Sequence, residues 1–197
     1  RHGLFSTLLP YLEQQSMYDT FNFKGDSAYE KHRYTAVGVY VCPSYNGSAV
    51  YLASQPPNPL EFRNGALSTY QGVGGALVPG VAMTKSPEYG DFPQNGLFHW
   101  GPICRPVAKV YDGLSNTLAF GEFVQVDSNG GPPGNVRPWI LSAFDPNGCY
   151  EFKVIVYPIN AQVDRLINGD NFNYLPMGSG HPGGCNFAVA DGSVHFL

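Results

Sequence analysis

The sequence predicts an α+β domain, with one N-terminal helix packed on an antiparallel β-sheet that carries long loops. Three observations predict it. Apolar residues at helical spacing are confined to the first eighteen positions. The rest of the chain breaks into short runs of β-branched and aromatic residues separated by Gly, Pro, Asn and Asp. Near the end, two alternating segments flank Asp191-Gly192. A segregated helix followed by strands is the pattern of an α+β fold, and 197 residues fit a single domain, 1–197.

The helix is expected over residues 4–18, where Leu8, Leu9, Leu12 and Met17 lie near helical spacing, Ser6 or Thr7 can cap, and Pro10 suits a first turn. Strands are expected at 34–41, 67–73, 106–111, 117–126, 150–157, 184–190 and 193–197. The Pro-, Gly- and Asn-rich stretches 43–66, 76–95, 127–137 and 158–183 read as loops, and long ordered loops on a sheet are where binding surfaces gather. A two-residue Asp191-Gly192 turn is expected to close the last two strands into a hairpin, with Phe187, Val189, Val194 and Phe196 forming its apolar face.

Composition narrows the function. Charged residues are only 13% while hydrophobic ones are 43%, so an ordered domain with a neutral polar surface is expected despite 24 Gly and 17 Pro. A net charge of -4 argues against a nucleic-acid partner, because a phosphate-binding surface needs clustered Lys and Arg and the densest basic stretch is the short Lys31-His32-Arg33. No run of about 18 apolar residues occurs, so the chain as given has no membrane span. It opens on Arg1 directly against the helix pattern, which suggests a missing N-terminal segment.

Cys42, Cys104, Cys149 and Cys185 are too widely spaced for a CxxC zinc site. Two disulfides in an oxidising compartment are the preferred reading over buried free thiols, with all three pairings open. Asp112, Ser115, Asn116 and Glu122 gather oxygen donors suited to Ca²⁺. The same residues are ordinary turn formers, which is the preferred reading. His181, set in Gly178-Ser-Gly-His-Pro-Gly-Gly, is either a metal or catalytic group or, as preferred, a structural residue bonding backbone near the hairpin, with Asp191 capping the turn. Neither a Gly-x-Ser-x-Gly elbow, a His-Glu-x-x-His pair nor a phosphate loop occurs, and the chain is read as a non-enzyme.

His181 is followed by nine residues and then Asp191-Gly192. Further pieces are Leu8-Leu9-Pro10-Tyr11-Leu12-Glu13-Gln14, Cys42-Pro43-Ser44, Tyr70 with Gly72, Asn95-Gly96-Leu97-Phe98, Asp112 to Leu118, and Gly121-Glu122. Together they resemble the prepilin-type processing-associated H-X9-DG family, also known as DUF1559. The resemblance implies a pilin-like head whose hydrophobic helix and prepilin leader are absent here, an export route of the prepilin type related to type II secretion, and an extracellular or cell-surface location. His181, Asp191 and Gly192 would be the family's structural motif.

Two roles follow as expectations. One is a structural subunit of a filament or the cell surface, self-associating or meeting other pilin-like subunits through the absent helix, which would also be its only membrane contact. The other is a carbohydrate- or solute-binding module that uses Tyr45, Tyr51, Tyr89, Trp100 and Trp139 as stacking or subunit contacts.

Overall fold

The computed structural model describes residues 2–27, 30–53, 57, 61, 63–85, 90–99, 105–124, 135–141, 150–163 and 172–197. Its architecture is α+β, with a short helical N-terminus against mixed β-sheets. None of the described helices is long and apolar enough to cross a membrane.

The single helix expected over 4–18 is broken in three: α1 (Leu4–Leu8), a 3₁₀ turn (Leu9–Leu12) and α2 (Gln15–Tyr18). Pro10 cannot donate to the preceding turn, and Glu13 ends the 3₁₀ turn in the left-handed region at φ 60°. The first amide of α1, that of Leu4, donates to the Glu151 carboxylate, so a residue far along the chain satisfies this helix end. Phe5 and Leu9 are buried, and the Tyr40 hydroxyl donates to the Phe5 carbonyl at 2.6 Å.

Two of the expected strands are not strands. Residues 34–41 form 3₁₀ turns at Lys31–Tyr34 and Gly38–Tyr40, where local bonds such as Tyr40 N to Val37 O (2.9 Å) replace a ladder. Residues 106–111 form a 3₁₀ turn at Val107–Lys109, entered through Pro106. The other five segments contain strands, and short strands also lie in two of the expected loops.

In chain order the strands are β1 (Val50–Tyr51), β2 (Gly65–Ser68), β3 (Tyr70–Ala76), β4 (Met83–Thr84), β5 (Phe92–Pro93), β6 (Leu118–Glu122), β7 (Arg137–Pro138), β8 (Phe152–Ile155), β9 (Asn186–Val189) and β10 (Val194–Phe196). The principal sheet has the order β10-β9-β6-β3-β8. It is antiparallel, as expected, except at β3–β8, which pair in parallel. A three-stranded sheet, β1-β2-β7, and the β4–β5 ribbon flank it.

The terminal hairpin exists with a different register. Val194 lies opposite Ala188 and Phe196 opposite Asn186, while Gly192 N donates to Val189 O (3.0 Å) and Val189 N to Ser193 O (2.8 Å). The loop is therefore three residues, Ala190-Asp191-Gly192, with Gly192 at φ 91° and Asp191 absent from the positive-φ residues. This is a type I turn followed by a left-handed residue, not the mirror-image turn that a two-residue Asp-Gly loop demands. One extra loop residue moves the second strand by one position, and a shift of one turns every side chain to the other face. Phe187 and Val189 are buried as expected, but Val194 and Phe196 face the opposite side and are 66% and 54% exposed.

The main core gathers Phe5, Leu9, Val73, Phe123, Trp139 and Phe187 with their neighbours. A second cluster of Phe92, Phe152 and Val154 packs below β8. Lys153 is fully buried, with its ammonium 3.6 Å from the Phe172 ring centroid and 5.1 Å from that of Phe123.

Candidate functional site

On the principal sheet, Tyr70 lies opposite Glu122, and the pairing of Gly121 with Phe187 puts Glu122 opposite Asn186, which in turn faces Phe196. Cross-strand neighbours share a face. A polar row thus crosses β3, β6 and β9 and ends in an aromatic ring on β10.

Two segments lie over this row. The first carries Cys42, whose amide donates to the Thr69 hydroxyl at 2.6 Å, while Thr69 N donates to Tyr40 O. The second, residues 178–184, is tied to β6 by the bond from Gly178 N to Glu122 O (3.0 Å). It is closed internally by Ser179, whose hydroxyl donates to Gly184 O (2.7 Å) and accepts from His181 N (3.0 Å). Gly180 permits the two segments to touch, since a Cβ there would lie 2.8 Å from the Ser44 carbonyl oxygen. The Gly-rich setting of His181 is thereby explained by a close backbone approach.

Three side chains converge beneath these segments. Cys42 Sγ donates to Glu122 Oε1 at 2.8 Å, His181 Nε2 lies 3.2 Å from the same oxygen, and Sγ and Nε2 are 3.4 Å apart. Glu122 is fully buried and Cys42 nearly so, whereas the His181 side chain is 33% exposed. The second carboxylate oxygen, Oε2, accepts from Asn186 N (2.6 Å) and Asn186 Nδ2 (3.1 Å). A buried carboxylate costs several kcal/mol unless compensated, and these donors compensate it. Ser44 Oγ lies 3.0 Å from Cys42 Sγ, and the His181 ring meets Phe196 edge-on at 6.3 Å.

The surroundings respond to the negative charge. Burial is the leading cause that pushes the Tyr70 hydroxyl up to about 12, with Glu122 as a lesser one. Burial followed by Glu122 pushes the Cys185 thiol up to about 12, so Cys185 is a protonated thiol at neutral pH. Its Sγ points at the Glu122 backbone oxygen, 3.5 Å away.

Chemically, the arrangement is a point of convergence and not a relay. A Cys-His-Glu nucleophile needs the thiol on one ring nitrogen and the carboxylate on the other. Here both meet Nε2, and the sulfur is 1% exposed at the level of its residue.

The remaining sequence-derived candidates fare as follows. The expected Ca²⁺ set is not brought together. Asn116 Nδ2 donates to the Asp112 carbonyl (2.8 Å) in a turn before β6, with Ser115 in the same turn, while Glu122 ends β6. Four residues of extended strand, roughly 13 Å, keep it away. The expectation of two disulfides is not met: Cys42 and Cys185 are free thiols, their sulfurs engaged by Glu122, and Cys104 and Cys149 lie outside the described residues. Trp139 is no contact residue, being 1% exposed with its indole N–H donating to Thr35 O (3.0 Å). Tyr45 is half-buried and folds back over Gly47, and Tyr51 is half-buried in β1. Tyr89 and Trp100 lie outside the described residues. His181 bonds side chains, not the hairpin backbone, whereas Asp191 does cap the turn, accepting from Ser193 N (2.9 Å) and Oγ (2.7 Å).

The sequence reading missed that Cys42, Glu122 and His181 meet. The one hint in the sequence is that each lies in a separate family-like piece, Cys-Pro-Ser, Gly-Glu and the H-X9-DG motif, none of which says that the three meet.

No curated protein and no solved structure matches the chain. A family model does, over residues 1–197. The chain belongs to the family described as protein of unknown function DUF1559.

Proposed function

We propose that this chain is the globular head of an exported, pilin-like structural subunit, carried on the cell surface or in a filament, and that it works by association and not by catalysis. The observation that carries the reading is β10. It closes the order of the principal sheet with β9 as its ladder partner, and both of its apolar residues, Val194 and Phe196, are exposed. In an antiparallel ladder the residues of non-hydrogen-bonded pairs turn their amides and carbonyls outward. With Cys185–Leu197 and Val189–Ser193 as bonded pairs, those outward residues are Val194 and Phe196. An edge that offers both backbone bonds and apolar side chains is a template for another chain. The 13% charged composition supports close subunit packing.

The test is the native, full-length protein expressed with its natural secretion machinery and imaged for surface polymers. Polymers are expected, and Val194→Lys is expected to abolish them while leaving the melting temperature of the isolated head unchanged. A full-length protein that is exported and stays monomeric sinks the reading.

A second reading, an extracellular carbohydrate- or solute-binding module, rests on a shallow cavity of about 240 Å³ walled by Asn95, Arg105, Lys109, Tyr111 and Asp112. Tyr111 is 85% exposed and offers a stacking face. The volume is below the ~300–1,000 Å³ of most small-molecule sites, which ranks this reading second. Silence across a glycan array and a thermal-shift solute screen would remove it.

A further inference from the structure

We propose that Cys42, Glu122 and His181 form a binding site for one divalent transition-metal ion, with Zn²⁺ as the best-fitting ion, that clamps three distant segments of the head. The three donor atoms all lie within 4.8 Å of one another. With bond lengths of ~2.3 Å to thiolate sulfur and ~2.0–2.2 Å to nitrogen and oxygen, a tetrahedral ion places its ligand atoms roughly 3.3–3.6 Å apart. The Nε2 to Oε1 and Nε2 to Sγ separations, 3.2 and 3.4 Å, already approximate two such edges.

The third edge, Sγ to Oε1 at 2.8 Å, is shorter because a proton occupies it: the thiol donates to the carboxylate. Metal binding replaces that proton, which leaves to solvent, and the two acceptors separate by less than 1 Å to the tetrahedral edge. No other atom needs to move far. The ligands come from residues 80 and 139 apart along the chain, so the ion joins the segment after the Gly38–Tyr40 turn, the end of β6 and the 178–184 segment.

The donor set selects the ion. Thiolate, imidazole and carboxylate suit Zn²⁺ and its neighbours in the first transition row, whereas Ca²⁺ takes oxygen alone. The outer partners are built as well. Asn186 holds Oε2 through two donors, which aims Oε1 at the common point. An orienting bond of this kind is the usual companion of a ligating side chain. The fourth position lies toward the partly exposed His181 wall, where water or the Ser44 hydroxyl, 3.0 Å from the sulfur, completes the shell. Since Cys42 and Cys185 are free thiols, a metal cross-link at this point would do for an exported head what a disulfide does elsewhere. The inference does not depend on self-association.

The experiment is titration of the chelator-treated chain with Co²⁺, read by absorption, followed by displacement with Zn²⁺. One equivalent is expected to bind with a sulfur-to-cobalt charge-transfer band and the strong d–d bands of tetrahedral cobalt. Zn²⁺ should bleach them, and Ca²⁺ should not. C42S is expected to lose the charge-transfer band, His181→Gln to bind at least about tenfold more weakly, and Asn186→Ala about tenfold more weakly through misplacement of Glu122. The double variant Cys104→Ser/Cys149→Ser should titrate as the parent does. Absence of the band in the parent chain overturns the proposal, as does a band that survives C42S and disappears in the double variant. If C42S fails to fold, parental Co²⁺ affinity in His181→Gln, a partly exposed position, overturns it equally.

Discussion

The two faces of the principal sheet are built from the same strands and serve opposite ends. One face carries Phe187 and Val189 of β9, buried among aromatic and aliphatic neighbours. The other carries Tyr70, Glu122, Asn186 and Phe196, and here the most deeply buried member is a carboxylate. β9 alternates half-buried and buried residues as a sheet with one covered face should, and Glu122 breaks the matching alternation in β6. The difference teaches that the burial of Glu122 on the second face does not come from apolar packing. It comes from two loops laid over a polar group, an arrangement that stabilises weakly and places chemistry well.

Three experiments would break or sharpen that contrast. The largest effect belongs to the packed face: Phe187→Ala should destabilise the domain by about 3–5 kcal/mol in denaturant unfolding, the range for a large ring lost from a core. On the polar face, Glu122→Gln keeps one accepting oxygen for the Asn186 donors and turns the other into a donor, and should cost only ~1–3 kcal/mol, the range for disturbing a buried hydrogen-bonded group. A cost for Glu122→Gln equal to that of Phe187→Ala would mean that the polar row is core after all. The smallest effect lies at the exposed hairpin turn. Bonds from Ser193 hold the Asp191 carboxyl below its ordinary 3.8. A depressed carboxylate contributes stability above its unfolded pKa and loses it as pH falls through the lower folded value. Hydrogen exchange at the Ser193 amide should therefore stay protected at neutral pH and lose protection only below pH 3.8, in step with Asp191 protonation. Protection that is already gone near pH 5, or that persists after Asp191→Ala, would detach the turn from this carboxylate.

Much of this contrast was legible in the sequence, and the part that was not has physical causes. The strand at 67–73, the strands around 118–122 and 152–155, and the final hairpin follow from periodicity and turn residues. The face of β10 does not, because Asp-Gly serves both a two-residue mirror-image loop and the last two positions of a three-residue loop, and only the pairing partner of Val194 tells them apart. Trp139 reads as a loop aromatic because it follows Pro138 and the Pro- and Gly-rich stretch 127–137, yet its indole fits between Thr35 O and the Phe21 ring, contacts over a hundred positions away. Helix patterning in residues 4–18 was correct about which side is apolar and wrong about continuity, since Pro10 outweighs propensity. The convergence of Cys42, Glu122 and His181 is a tertiary fact, and composition or spacing cannot carry it.

The bond between the Leu4 amide and Glu151 joins the start of the chain to a residue 147 positions further on. β6 sits between β3, which precedes it, and β9, which comes from the last dozen residues, while β8 closes the far edge in parallel. The start of the chain, its middle and its end therefore reach their places together. Sheets assembled from such remote pieces fold on the slower, millisecond-to-second scale, roughly, because loop closure is paid before the pairing rewards it. A polypeptide delivered end-first, by ribosome or by translocase, cannot complete this sheet until nearly all of it has emerged. Until then the pocket that Phe187 fills stands open, and the nascent chain exposes that apolar surface.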